Sequence, residues 1–197
     1  MIRAVTVYCS SSRDVDRVYF DAAMALGGAV ARQGWELVYG GNDCGCMGAL
    51  ADAARAGGGR VVGITPEVLH AQGITDRQCD ELIFTPGMRE RKALLEQRGD
   101  AFFTLPGGLG TLEEIFEIIV SRSLGTHDKP IVLVNIANYF APLLTMLDHG
   151  IEQQFIKAKS RRLFHVSASV SDAVAYVRHL PPAGQLSPLP PDSSAMK

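Results

Sequence analysis

Short hydrophobic runs alternate with amphipathic helical segments along nearly the whole chain, and this alternation restricts the fold to parallel strands joined by crossover helices. Strands are predicted at residues 5–9, 36–39, 60–64, 81–85, 101–105 and 131–135, with an edge strand at 164–166. Helices are predicted at 18–33, 47–56, 88–98, 111–123, 139–149 and 171–179. Their apolar residues recur at three and four positions, as Ile115, Ile118 and Ile119 do. Gly34 stands where a helix ends in a left-handed residue. The expected class is α/β, an open parallel sheet in one domain over residues 1–180. Residues 181–197 carry five prolines with serines and no apolar period, so this tail is expected to be disordered.

A length of 197 residues with 47% hydrophobic content suits a single buried core. The formal net charge of −2 argues against a chain built to coat nucleic acid. No apolar run approaches the roughly 18 residues that a membrane span needs. The opening Met1 to Tyr8 enters a strand pattern without a basic n-region or cleavage site, so the expected location is cytoplasmic. Cys44 and Cys46 have no second pair at zinc spacing, and Cys9 and Cys79 stand alone, so no metal site is expected.

In an open parallel sheet, ligands bind beyond the carboxyl ends of the strands. Three unusual turns fall there: Cys9-Ser10-Ser11-Ser12 after the first strand, Gly40 to Gly48 after the second, and Pro106 to Thr111 after the fifth. The last of these, Pro106-Gly107-Gly108-Leu109-Gly110-Thr111, opens a helix and reads as a phosphate cradle of flexible backbone and free N–H groups. Thr111 and Glu114 also fit a capping box, which would make them only a helix brace. Neither glycine turn has the G-x-G-x-x-G dinucleotide spacing, and no Walker loop occurs. A monophosphate held by backbone amides fits the loop better than a dinucleotide or a triphosphate.

The helix ahead of the cradle strand begins Met88-Arg89-Glu90-Arg91-Lys92. Three cations near a helix N-terminus oppose its dipole, so helix stability does not explain them. They form either a solvated face with Glu90 and Glu96 as partners or a site for a phosphate or carboxylate.

Together, Met88-x-x-Arg91-Lys92 and Pro106-Gly107-Gly108-x-Gly110-Thr111-x-x-Glu114 resemble the signature of the Lonely Guy family, the cytokinin riboside 5′-monophosphate phosphoribohydrolases. Tyr39-Gly40-Gly41, Gly45-x-Met47-Gly48 and Leu124-Gly125-x-His127-x-Lys129-Pro130 look like further landmarks of it. The resemblance implies a Rossmann-like doubly wound parallel sheet flanked by helices, commonly a homodimer, acting on a small nucleotide. It implies hydrolysis of the N-glycosidic bond of AMP or N6-modified adenosine 5′-monophosphates, giving free base and ribose 5-phosphate. Neither cofactor nor metal is called for, and neither nucleic acid nor membrane is an expected partner.

Carried onto this chain, the family's catalytic pair falls on Arg91 and Glu114, and its phosphate turn on Gly107, Gly108, Gly110 and Thr111. Ser10, Gly41, Met88 and Lys92 are the further substrate-side candidates. The chain departs from the family pattern at Cys9, Arg89, Ser121 and Ser123, which bears on base specificity and the substrate rim. Breaking a ribosyl C–N bond makes the sugar cation-like, so the site needs a carboxylate near C1′ and a positioned water. Glu114, near a helix N-terminus, is expected to be charged, and Arg91, a permanent cation, is expected to orient rather than donate a proton. A non-enzymatic molybdenum-cofactor carrier of similar fold is the alternative, since a carrier needs the cradle but no carboxylate at the sugar. Pyridoxal-dependent lysine decarboxylation would need a Schiff-base lysine, for which Lys92 and Lys129 are the candidates.

Overall fold

Successive residues of the first strand point to opposite faces, Val5 and Val7 into one apolar cluster and Ala4 and Tyr8 into another. A strand buried on both sides needs cover above and below, which helical crossovers provide. The computed structural model describes residues 1–180, so the expectation for the tail lies outside the described residues. Strands β1 (Ala4–Tyr8), β2 (Glu36–Tyr39), β3 (Val61–Pro66), β4 (Glu81–Thr85), β5 (Ala101–Thr104), β6 (Ile131–Val134) and β7 (His165–Ser167) form one sheet in the order 4-3-2-1-5-6-7. Every neighbouring pair is parallel.

Helices α1 (Arg17–Arg32) and α2 (Gly45–Ala56) cover one face. The short helix α3 (Glu67–His70) follows β3, and α4 (Met88–Arg98), α5 (Leu109–Ser123) and α6 (Ala141–Glu152) cover the other face. Helix α7 (Val170–Arg178) returns to the first face. This is the Rossmann-like doubly wound sheet that the sequence implies. Helices α1 and α2 cross closely at Gly27, where a Cβ would come within 2.1 Å of the Leu50 carbonyl oxygen. Gly34 has φ +69° and closes α1 as expected. Trp35 is a core residue, its ring stacked near Phe103. No helix of the described residues is long and apolar enough to cross a membrane.

The chain builds β2, β3 and β4 outward on one side of β1, then returns to place β5 on its other side. The turns after β1 and β5 therefore flank the point where the winding reverses, which is where such sheets bind ligands. Three predicted helix starts shift by two residues, that of α2 moving back from 47 to Gly45. Helix α5 begins at Leu109, two residues before Thr111, and α6 begins at Ala141, two after Tyr139. Pro142 in the first turn marks the true start of α6.

Candidate active site

The fold brings the three strand-end turns together. The turn after β1 meets the start of α2 through a hydrogen bond from Met47 N–H to the Ser10 carbonyl at 3.1 Å. Gly45, at φ +61°, presses so closely on this turn that a Cβ would stand 2.5 Å from the Ser11 carbonyl carbon. The Ser10 hydroxyl accepts the Ser12 N–H at 3.0 Å and keeps its own proton to donate. Behind them Gly41, at φ +69°, packs its backbone against Gly63 and Thr65 of β3.

Arg91 and Glu114 form the centre. Although Arg91 lies on a charged helix, it is only 4% exposed, and Glu114 is 6% exposed. Arg91 Nη1 donates to Glu114 Oε1 at 2.7 Å, its Nε donates to the Ile64 carbonyl at 3.0 Å, and its Nη2 reaches the Gly40 carbonyl at 3.5 Å. The guanidinium is thus held between the ends of β2 and β3 and the first turns of α5. A Cβ at Gly40 would lie 2.2 Å from Arg91 Nη2, so a side chain there would push the guanidinium out of this position. The solvated-face reading of Arg91 is ruled out by this burial.

Lys92 separates from that centre. Its ammonium is held by Glu113 and, at 2.7 Å, by Glu117, both on α5. Neither Glu90 nor Glu96 is its partner. Met88, the first residue of α4, is 43% exposed on the rim.

One expectation about the glycine turn needs correction. Thr111 and Glu114 do not form a capping box: the N-cap is Gly108, which has no side chain, and Thr111 is already three residues inside α5. None of Gly107, Gly108 and Gly110 has positive φ, so left-handed backbone is not why glycine stands at these positions. The reason at Gly107 is space, because a Cβ would collide with the buried Thr111 side chain, 2.2 Å from its Oγ1. At Gly108 and Gly110 a Cβ would meet nothing within 4 Å, so these two leave backbone open to the crevice. Leu109, Gly110 and Thr111 carry the N–H groups that a helix start leaves without intrahelical acceptors.

Glu114 also corrects an expectation. It is the sixth residue of α5, beyond the first turn where the dipole acts. Burial pushes its carboxyl above the ordinary glutamate range, and neighbouring Arg91 pulls back only part of the way. Among the described residues no hydrogen bond holds its second oxygen, so one oxygen is anchored by Arg91 and the other is left to act. Gly110 and Glu114 are one turn apart on α5, about 6 Å along the axis. The open N–H groups and the carboxylate therefore share one side of the helix.

Two supports were not read from the sequence. Tyr39, Asp76 and Arg55 form a buried network, with the Tyr39 hydroxyl and Arg55 Nη1 donating to Asp76 Oδ2 at 2.6 and 2.7 Å. Burial alone would raise the Asp76 carboxyl, but these donors hold it below the usual range. Asp76 N–H also bonds the Gly41 carbonyl at 2.9 Å, bracing the turn that holds Arg91. The second support is Tyr139, whose hydroxyl donates to the Gly107 carbonyl at 2.6 Å. Tyr39 lies in the Tyr39-Gly40-Gly41 motif, but neither Asp76 nor Tyr139 lies in a glycine-rich or charged motif that would have marked it.

Among the described residues no cluster of three or more His, Cys, Asp or Glu is arranged for a metal. All four cysteines are free.

Residues 47–177 match the family model described as "Possible lysine decarboxylase". The chain is 41% identical over 170 residues to the cytokinin riboside 5′-monophosphate phosphoribohydrolase of Mycobacterium tuberculosis, covering 86% of this chain and 90% of that one. It is 36% identical over 180 residues to a protein of the same name from Arabidopsis thaliana, covering 91% and 84%. Among solved structures it is similar to the molybdenum cofactor carrier protein of Chlamydomonas reinhardtii, with a TM-score of 0.67 and 24% identity over 90% of this chain and 97% of that one. That last likeness is one of fold.

Proposed function

We propose, from the premise that this chain belongs to the family of cytokinin riboside 5′-monophosphate phosphoribohydrolases, that it hydrolyses the N-glycosidic bond of AMP or of N6-modified adenosine 5′-monophosphates. The products are the free base and ribose 5-phosphate. The observation that carries this reading is the buried Arg91–Glu114 pair, one helical turn from the open start of α5.

In this reading, the N–H groups at the start of α5 hold the 5′-phosphate, where the helix dipole favours an anion. The phosphate then fixes the ribose over Glu114. As the C–N bond breaks, positive charge develops at C1′ and the ring oxygen, and the Glu114 carboxylate stabilises it from a site largely closed to water. The Glu114 oxygen not bonded to Arg91 accepts one proton of the attacking water as the water oxygen bonds C1′. The base leaves with the C–N electron pair and takes a proton from solvent, and Glu114 returns its proton to solvent. Arg91 keeps the carboxylate in one orientation and, being permanently charged, does not protonate the departing base. Met88, with exposed Leu109 at the first position of α5, offers apolar surface for the base. Ser10 and Gly41 serve this site through backbone packing in the reading, and Lys92 through its grip on α5.

The alternative, a molybdenum cofactor carrier, rests on fold likeness alone and leaves the buried carboxylate without a task. Lysine decarboxylation has less support still. Lys92 is held by two glutamates, and Lys129 donates to the Glu96 carbonyl at 2.6 Å, beside the amino end of β6 and away from the crevice rim. The family-based homodimer is supported by an apolar groove between α5 and α6, lined by Phe116, Ile119, Val120, Leu147 and Ile151. Sedimentation velocity tests it, and a monomer at working concentration refutes it. For the activity itself, steady-state release of adenine from AMP and from adenosine is the test: much better use of AMP supports the phosphate cradle, and equal use removes it.

A further inference from the structure

Ala137 and Asn138 both have left-handed backbone, at φ 50° and φ 58°, although neither is glycine. Such residues persist only where surrounding structure enforces them. The turn they make is closed by Asn135, whose carbonyl accepts the Asn138 N–H and whose side-chain oxygen accepts the Phe140 N–H at 2.7 Å. Its product is the placement of Tyr139 over the glycine turn after β5. The Tyr139 ring meets Tyr19 of α1 edge-on at 6.0 Å and Phe140 at 5.2 Å, so the side chain is packed on two sides. Its hydroxyl donates to the Gly107 carbonyl at 2.6 Å.

The consequence follows from peptide geometry. In a trans peptide the carbonyl and the N–H lie in one plane and point in opposite directions. Holding the Gly107 carbonyl toward Tyr139 therefore holds the Gly108 N–H away from Tyr139. That N–H has no acceptor among the described residues, and Gly108 borders open space. Between two glycines, no Cβ restrains this peptide from rotating. Rotation would aim a carbonyl oxygen where the N–H now points, and a carbonyl there repels an anion.

We propose that Tyr139 is a positioning residue that locks the Gly107–Gly108 peptide with its N–H facing the phosphate, so that it sets affinity for the 5′-phosphate without touching the substrate. This rests on reading the start of α5 as a phosphate site.

The test is Tyr139→Phe, which keeps the ring packing and removes the hydroxyl. Ribose 5-phosphate binding by calorimetry is expected to weaken about 3- to 10-fold, the effect of one neutral hydrogen bond. The KM for AMP should rise by a similar factor, with kcat within about twofold of wild type and inhibition by free adenine unchanged. Unchanged ribose 5-phosphate affinity overturns the proposal. Equal weakening of ribose 5-phosphate and adenine also overturns it, because that marks general loosening of the site. If wild-type protein itself fails to bind ribose 5-phosphate, the phosphate-site reading fails and takes the proposal with it. If wild type binds and Tyr139→Phe binds equally well, only the role of Tyr139 falls.

Discussion

Replacing Glu114 with glutamine should remove activity while costing the fold little, and the site explains both halves. Glutamine has nearly the same shape and can still accept the Arg91 Nη1 hydrogen bond that Glu114 accepts at 2.7 Å. What disappears is the charge. Loss of a preorganised group that stabilises transition-state charge, or of a general base, slows turnover by about 10²- to 10⁴-fold. On the stability side, breaking a buried ion pair by deleting one partner typically costs about 3–5 kcal/mol. That figure should apply to Arg91→Ala, which strands a carboxylate only 6% exposed. It should not apply to Glu114→Gln, for two reasons. Arg91 keeps the Ile64 and Gly40 carbonyls as partners. The Glu114 carboxyl, moreover, is already pushed up by burial, so ionising it opposes folding.

The sign is fixed by linkage. A carboxyl whose folded value lies above its unfolded value binds more protons in the native state, so stability falls as pH rises through that window. Glutamine cannot ionise and escapes this loss. Urea unfolding should therefore show Glu114→Gln within about 1 kcal/mol of wild type near neutral pH, well short of the penalty for breaking a buried pair. The difference should move in the variant's favour as pH rises from the ordinary glutamate range. A loss of about 3–5 kcal/mol in Glu114→Gln, matching Arg91→Ala and flat with pH, would refute the claim that desolvation dominates at Glu114.

The same raised carboxyl sets the acid side of catalysis: kcat/KM should fall on acidification with an apparent value above that of an ordinary glutamate, and a limb at or below the ordinary value would contradict the burial argument. Gly110→Ala should fold normally, with equal or slightly higher stability because alanine favours a helix by up to about 1 kcal/mol. It should nevertheless bind AMP poorly, since its Cβ occupies only crevice space, so unchanged KM would remove Gly110 from the cradle. Gly40→Ala should cut kcat strongly by displacing the Arg91 guanidinium, which a Cβ would approach to 2.2 Å, and a fully active variant would show that this contact is dispensable.

Much of this was legible in the sequence because the physics was local. Strands buried on both faces give apolar runs such as Ile131–Val134, and glycine-rich turns at strand ends announce a crevice before any sheet order is known. Arg91 stood out because a cation near a helix start is locally unfavourable, and its burial against Glu114 supplies the missing compensation. What was not legible depends on neighbours distant in sequence. The charge preference of Glu114 differs from the expectation because helix position is visible in sequence whereas burial beside Arg91 is not. The Thr111–Glu114 spacing mimics a capping box, but the helix starts two residues earlier and buries both side chains. Lys92 has acidic neighbours on its own helix but is held by the next one. Tyr139 and Asp76 act through backbone carbonyls of Gly107 and Gly41, contacts that leave no pattern in a single sequence.

The central claim is most directly tested by incubating the purified protein with AMP and an N6-substituted AMP and quantifying free base and ribose 5-phosphate by chromatography. The account expects the two products in equal amounts from at least one of these substrates, with release abolished to within about 10²- to 10⁴-fold in Glu114→Gln. No base released from either nucleotide, or undiminished release by Glu114→Gln, would contradict it.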